Sequence, residues 1–98
     1  MKPHAFHPAA DAEYTEAAEY HAAISPELAS RFYDDVEEVI RKIRRHPEPF
    51  RRVSPLIRRA LCAHFPYAVL YMDEPDRILI VAVMHGMRRP GYWRSRVR

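Results

Sequence analysis

The run His85-Gly86-Met87-Arg88-Arg89-Pro90-Gly91-Tyr92-Trp93 follows an apolar segment and gathers an imidazole, two guanidiniums and two aromatic rings. Guanidiniums bind phosphates and carboxylates in bidentate fashion, and aromatic faces stack on bases or on partner side chains. One chemistry open to such a set is metal-free RNA cleavage. Arg88 and Arg89 would stabilise a phosphorane while His85 or Tyr92 moved the proton of a 2′-hydroxyl. The other is recognition of a macromolecule without catalysis. Arg88 has no acid nearby in sequence to pair with, which favours an external partner. Trp93 reads first as an anchor that closes a sheet, and His85 can equally be a core histidine.

A second basic set lies in Ile57-Arg58-Arg59-Ala60-Leu61. If this segment is a strand, Arg58 and Arg59 point to opposite faces, so at most one of them shares a surface with Arg88. Arg44-Arg45 and Arg51-Arg52 could extend a basic rim, or simply be solvated. Other chemistries find little support. His4 and His7 could approach one another, but no Cys/His set has the spacing of metal ligands. Ser25 is explained as a helix cap, Ser54 lies in a proline loop, and Cys62 sits in an apolar strand as an inert thiol. The only glycines are Gly86 and Gly91, so no phosphate-cradling loop is present. No metal and no cofactor is expected.

The elements that must position these groups follow from periodicity. Pro8 suits a first helical turn, and Ala10, Tyr14, Ala17, His21 and Ile24 then form a one-sided stripe, with Asp11, Glu13, Glu16 and Glu19 largely off it. Ser25-Pro26-Glu27 restarts a helix: a capping hydroxyl, a proline at the first position, then an acid. Leu28, Phe32, Val36, Val39, Ile40 and Ile43 are its apolar face. Its polar face runs from Asp34, Asp35, Glu37 and Glu38 to Arg41, Lys42, Arg44 and Arg45, the order the helix dipole favours. His46-Pro47 ends it. After a Pro-containing loop over 47–56, residues 57–63, 67–72 and 77–85 have strand composition, with a turn at Asp73-Glu74-Pro75-Asp76. The run Ile78 to Met84 does not alternate, which predicts a strand covered on both faces. We therefore expect an α+β fold with one domain over residues 1–98. An N-terminal antiparallel helical hairpin packs on a small, twisted, mainly antiparallel sheet, with Phe32, Val36, Ile40 and Ile43 against Val69, Tyr71, Ile80 and Ala82.

Charge is distributed unevenly. Residues 1–40 hold nine acids and two bases, a net of −7, and residues 41–98 hold fourteen bases and four acids, a net of +10, which sum to the overall +3. The basic half suits a polyanion or an acidic partner, although an arginine-rich genome whose halves neutralise each other on folding would give the same asymmetry. A single cysteine, the absence of a leader-like apolar run after Met1, and an apolar stretch too short to span a bilayer lead to the expectation of a cytoplasmic protein without membrane contact.

Taken in order and spacing, several segments resemble the RelE/ParE superfamily of toxins from type II toxin–antitoxin systems. They are Phe6-His7-Pro8-Ala9-Ala10, Ser25-Pro26, Arg31-Phe32, Ile57-Arg58-Arg59, Phe65-Pro66-Tyr67-Ala68-Val69-Leu70-Tyr71 and the His85 to Trp93 ending. The resemblance covers about residues 6 to 93. It implies a growth-inhibiting toxin, a cognate antitoxin and a toxin–antitoxin hetero-oligomer. RelE-like members cleave mRNA in the ribosome with strand arginines, lysines and a terminal tyrosine. Arg58 or Arg59, Arg88 and, loosely, Tyr92 fit that set. Its lysines are missing, however, and Met87 interrupts the basic run after His85-Gly86. The Pro90-Gly91-Tyr92-Trp93 ending is closer to ParE-like members, which poison DNA gyrase without being enzymes. The favoured implication is a gyrase poison. The alternatives are a ribosome-dependent mRNA endonuclease and a decayed toxin that serves only as a binding module. The target-binding or catalytic set would be Arg58, Arg59, Arg88, Arg89 and Tyr92, supported by His85 and Trp93.

Overall fold

In the computed structural model, which describes residues 1–97, strand β1 (His4–Phe6) leads into helices α1 (Pro8–Ile24) and α2 (Pro26–Arg45). Strands β2 (Arg51–Arg52), β3 (Ile57–Leu61), β4 (Tyr67–Asp73) and β5 (Ile78–His85) follow, and then a 3₁₀ turn at Arg94–Arg96. The caps are those the sequence predicts. The Ser25 hydroxyl accepts a hydrogen bond from the Leu28 amide at 3.0 Å, Pro26 takes the first turn, and His46 ends α2. At the start of α1, the His7 ring accepts from the Ala9 amide at 3.0 Å, so an imidazole does the work of a capping hydroxyl.

The five strands form one mixed sheet in the order β1-β5-β4-β3-β2, with β1 parallel to β5 and the other neighbours antiparallel. Two short edge strands thus flank a three-stranded meander. Strand β2 falls within the segment expected to be loop. Its two exposed arginines pair with Arg58 and Arg59 of β3, a location that strand composition alone does not reveal.

The helical hairpin covers one face of the sheet. Phe32, Val36, Ile40 and Ile43 pack there with Val69, Tyr71, Ile78, Ile80 and Val83, while Ala10, Tyr14 and Ala17 come from α1. The expectation that Ala82 belongs to this face is wrong. The β4–β5 register passes from Leu70 opposite Ala82 to Tyr71 opposite Ile80, so Val81 is an extra residue in the strand. This bulge reverses the alternation. Ile78, Ile80 and Val83 face the helices, whereas Val81 and Ala82 join Ile57, Ala68, Leu70 and Trp93 on the other face. Strand β5 is therefore covered on both sides, by helices on one and by the C-terminal segment on the other.

Two further side chains depart from expectation. Ile24, at the end of the predicted stripe, is 61% exposed. Asp35, assigned to the solvated face of α2, is only 6% exposed. Its carboxylate accepts hydrogen bonds from the amides of Ala63 (3.3 Å), His64 (3.0 Å) and Phe65 (2.8 Å), which fixes the β3–β4 connection to α2. Successive amides converging on one anion are a common backbone solution in tight connections.

Candidate target-binding surface

Strands β3 and β5 and the segment after β5 position the candidate residues. Within β3, Ile57 belongs to the core on the C-terminal face and Ala60 to the core under the helices. By alternation, Arg58 therefore lies on the helix side and Arg59 on the other. Arg58 is occupied there, donating to the carbonyls of Glu48 and Phe50 at 2.8 Å each. It is the clasp of the loop after α2. Arg59 shares the sheet face on which Trp93 packs, and lines a depression with Leu61, Pro66, Tyr67, Met84 and Gly86.

After His85 the chain turns over the end of β5. His85 points its ring edge at Tyr67, with centroids 5.1 Å apart at 87°, and its Nδ1 accepts from the Met87 amide at 3.0 Å. It is half-buried rather than a core residue. Gly91 has a φ of 76°, and a Cβ there would lie 2.8 Å from the Arg94 side chain. Glycine thus permits the turn that presents Tyr92 and Trp93. Trp93 is 4% exposed in the second core and acts as the expected anchor.

Arg88 and Tyr92 are brought together. The Arg88 guanidinium carbon lies 4.0 Å from the centroid of the Tyr92 ring. Among the described residues no carboxylate forms an ion pair with Arg88 or Arg89, and both side chains are exposed. The Tyr92 hydroxyl is not free. It donates to Glu13 of α1 at 2.6 Å. Burial first, and then this hydrogen bond, push the phenol well above its ordinary pKa.

Glu13 is the residue sequence reasoning missed. Its carboxylate also receives Arg96 at 2.8 and 3.1 Å and the Val83 amide at 3.1 Å. The available hint was its place at the shoulder of the α1 stripe, three residues after Ala10 and four before Ala17, where a helix brings side chains onto one side. Arg96 gave no such hint, because its partner lies at the far end of the chain.

The molecule thus has a helical hairpin on one face of its sheet and a C-terminal segment on the other, with the Arg88 and Arg89 side chains exposed where β5 ends. Residues 5–90 match the family model described as the ParE toxin of type II toxin-antitoxin system, parDE, and the chain belongs to that family. Membership implies a cognate antitoxin as partner. Among solved structures, a chain of the chromosomal ParDE TA system from P. aeruginosa superimposes with a TM-score of 0.74 at 16% sequence identity. The match covers 87% of this chain and 96% of that one, and at such identity it speaks to the fold. No curated protein matches the chain by sequence. No helix among the described residues is long and apolar enough to cross a membrane.

Proposed function

We propose that this toxin arrests growth by binding DNA gyrase without catalysing a reaction, through a surface made by Arg88, Arg89 and the Tyr92 ring, with Arg59 in support. The observation that carries this reading is the state of Tyr92. Its hydroxyl is spent on Glu13 and its ring backs the Arg88 guanidinium, so the residue shapes a cationic contact surface instead of moving a proton. Arg58, tied to two carbonyls, serves the scaffold. The antitoxin would form a hetero-oligomer with the toxin, its acidic segments steered by the basic half of the chain and anchored by apolar contacts. We place the protein in the cytoplasm, where such a target and partner reside.

Cleavage of mRNA on the ribosome is the second reading, and one feature favours it. His85 and Arg88 line the same depression beside α1, so an imidazole and a guanidinium could act on one phosphate. One comparison decides between them: purified toxin is assayed for gyrase-trapped DNA breaks and, in parallel, for codon-specific cuts in mRNA on stalled ribosomes. Trapped breaks without mRNA cuts are expected. The reverse pattern overturns the gyrase reading, and neither activity in a folded toxin points to a binding module.

A further inference from the structure

Strand β1 pairs with β5 only as far as Ile80, so beyond that point the outer edge of β5 has no strand beside it among the described residues. Two backbone groups of that stretch are met by side chains. The Val83 amide donates to Glu13 at 3.1 Å, and Arg96 donates to the Val81 carbonyl at 3.0 Å. Glu13 and Arg96 are also paired with each other, at 2.8 Å, with side chains only 15% and 14% exposed. One ion pair from opposite ends of the chain thus takes the place of an edge strand at the bulge.

The same carboxylate organises the segment that carries the contact surface. Both guanidiniums, Arg88 at 4.0 Å and Arg96 at 5.0 Å, lie against the Tyr92 ring. Two like charges on one ring repel, and Arg89 and Arg94 add to the positive charge of the segment. Glu13 is the acid that the ion pairs of the described residues bring to it. We propose that Glu13 is a positioning residue: its carboxylate, by holding Tyr92 and Arg96 at the edge of β5, sets the C-terminal segment in the arrangement that presents Arg88 for target binding. This rests on the reading that the Arg88–Tyr92 surface meets the target. Glu13 touches no target itself and acts through Tyr92 and Arg96.

The chain's single tryptophan, Trp93, lies next to Tyr92 and is buried, so its fluorescence reports where the segment sits. In Glu13→Ala, the Trp93 emission should shift to the red and its quenching by acrylamide should rise, while helical circular dichroism and cooperative melting persist. Growth inhibition should fall by about tenfold or more in inducer dose, as expected when several hydrogen bonds to one charged group are lost together. Glu13→Gln, which keeps one acceptor oxygen but no charge, should fall between Glu13→Ala and the parent in both measurements. If Glu13→Ala does not fold, Glu13→Gln is read by the same criteria. Quenching equal to the parent's overturns the proposal, because Glu13 then does not hold the segment. Exposed Trp93 with undiminished growth inhibition overturns it as well, because the arrangement then does not matter. The surface reading fails separately, if an Arg88→Ala/Arg89→Ala toxin with parental Trp93 quenching still stops growth.

Discussion

The imidazole of His21 on α1 lies stacked on the ring of Phe32 on α2, with centroids 4.6 Å apart and planes 15° from parallel. Phe65 and Tyr67 meet both rings edge-on, so the hairpin is joined to the start of β4 by an aromatic cluster. Phe32 is fully buried at its centre. Phe32→Ala should destabilise the protein by roughly 3–5 kcal/mol, the cost of a large cavity that neighbouring rings cannot fill. Chemical denaturation measures this, and a variant with the parent's midpoint and slope would show that the cluster is not the core of the fold.

Asp35 holds three consecutive amides with one carboxylate. Asp35→Ala leaves those amides to water or to nothing, and should cost about 1–3 kcal/mol. Asp35→Asn, which retains one acceptor oxygen, should cost less. Amide hydrogen exchange at His64 and Phe65 should quicken in both variants, most in the alanine. Parental exchange rates would mean that the connection holds itself.

Much of this architecture is legible in the sequence because it is written locally. Ser25-Pro26 restarts a helix whatever surrounds it, and Asp73 to Asp76 makes a turn from its own residues. What is not legible depends on partners distant in the chain. Ala82 is assigned to the wrong face because the bulge at Val81 exists only in register with β4. Asp35 shares its heptad surroundings with solvated acids, and only the amides of residues 63 to 65 distinguish it. At the candidate surface, Arg88, Tyr92 and the anchor Trp93 stand out by composition. The division of labour between Arg58 and Arg59 follows from alternation, but which one faces Trp93 needs the sheet. Glu13 is hidden because its partners lie at the opposite end of the chain.

Tyr92 separates the two functional readings. In Tyr92→Phe the ring stays under Arg88 and Glu13 keeps Arg96 and the Val83 amide, so a gyrase-binding toxin should lose little potency. A ribonuclease that used the hydroxyl would lose most of its activity. Arg88→Ala should weaken target binding in the first case, and in the second lower the cleavage rate by roughly 10²–10³-fold. Growth assays across an inducer series read these effects, provided each variant melts like the parent. Loss of toxicity in Tyr92→Phe would count against the binding reading.

Cys62 follows β3 and is half-buried, packed against the core under the helices as Phe65 is. Burial first, and then the charge of Asp35, push its thiol pKa up to about 12. Since the thiolate is the reactive form, alkylation should be slow at neutral pH and rise about tenfold per pH unit until the pH nears that value. In denaturant, where burial and Asp35 no longer act, the rate at neutral pH should rise sharply. Equal rates in the folded and unfolded protein would show that the thiol is not shielded.

The parallel pairing of β1 with β5 sets an order on the folding of the emerging chain. β1 leaves the ribosome first, yet the strand it pairs with is the last to be made. The helical hairpin can form from its own neighbours, but β1 must wait for a closure that spans nearly the whole chain, and such closures are slow. Glu13 waits longer still, presented on α1 until Tyr92 and Arg96 arrive. The Arg88–Tyr92 arrangement therefore cannot be complete until residues 88 to 96 have been made, whereas both helices lie within the first half of the chain.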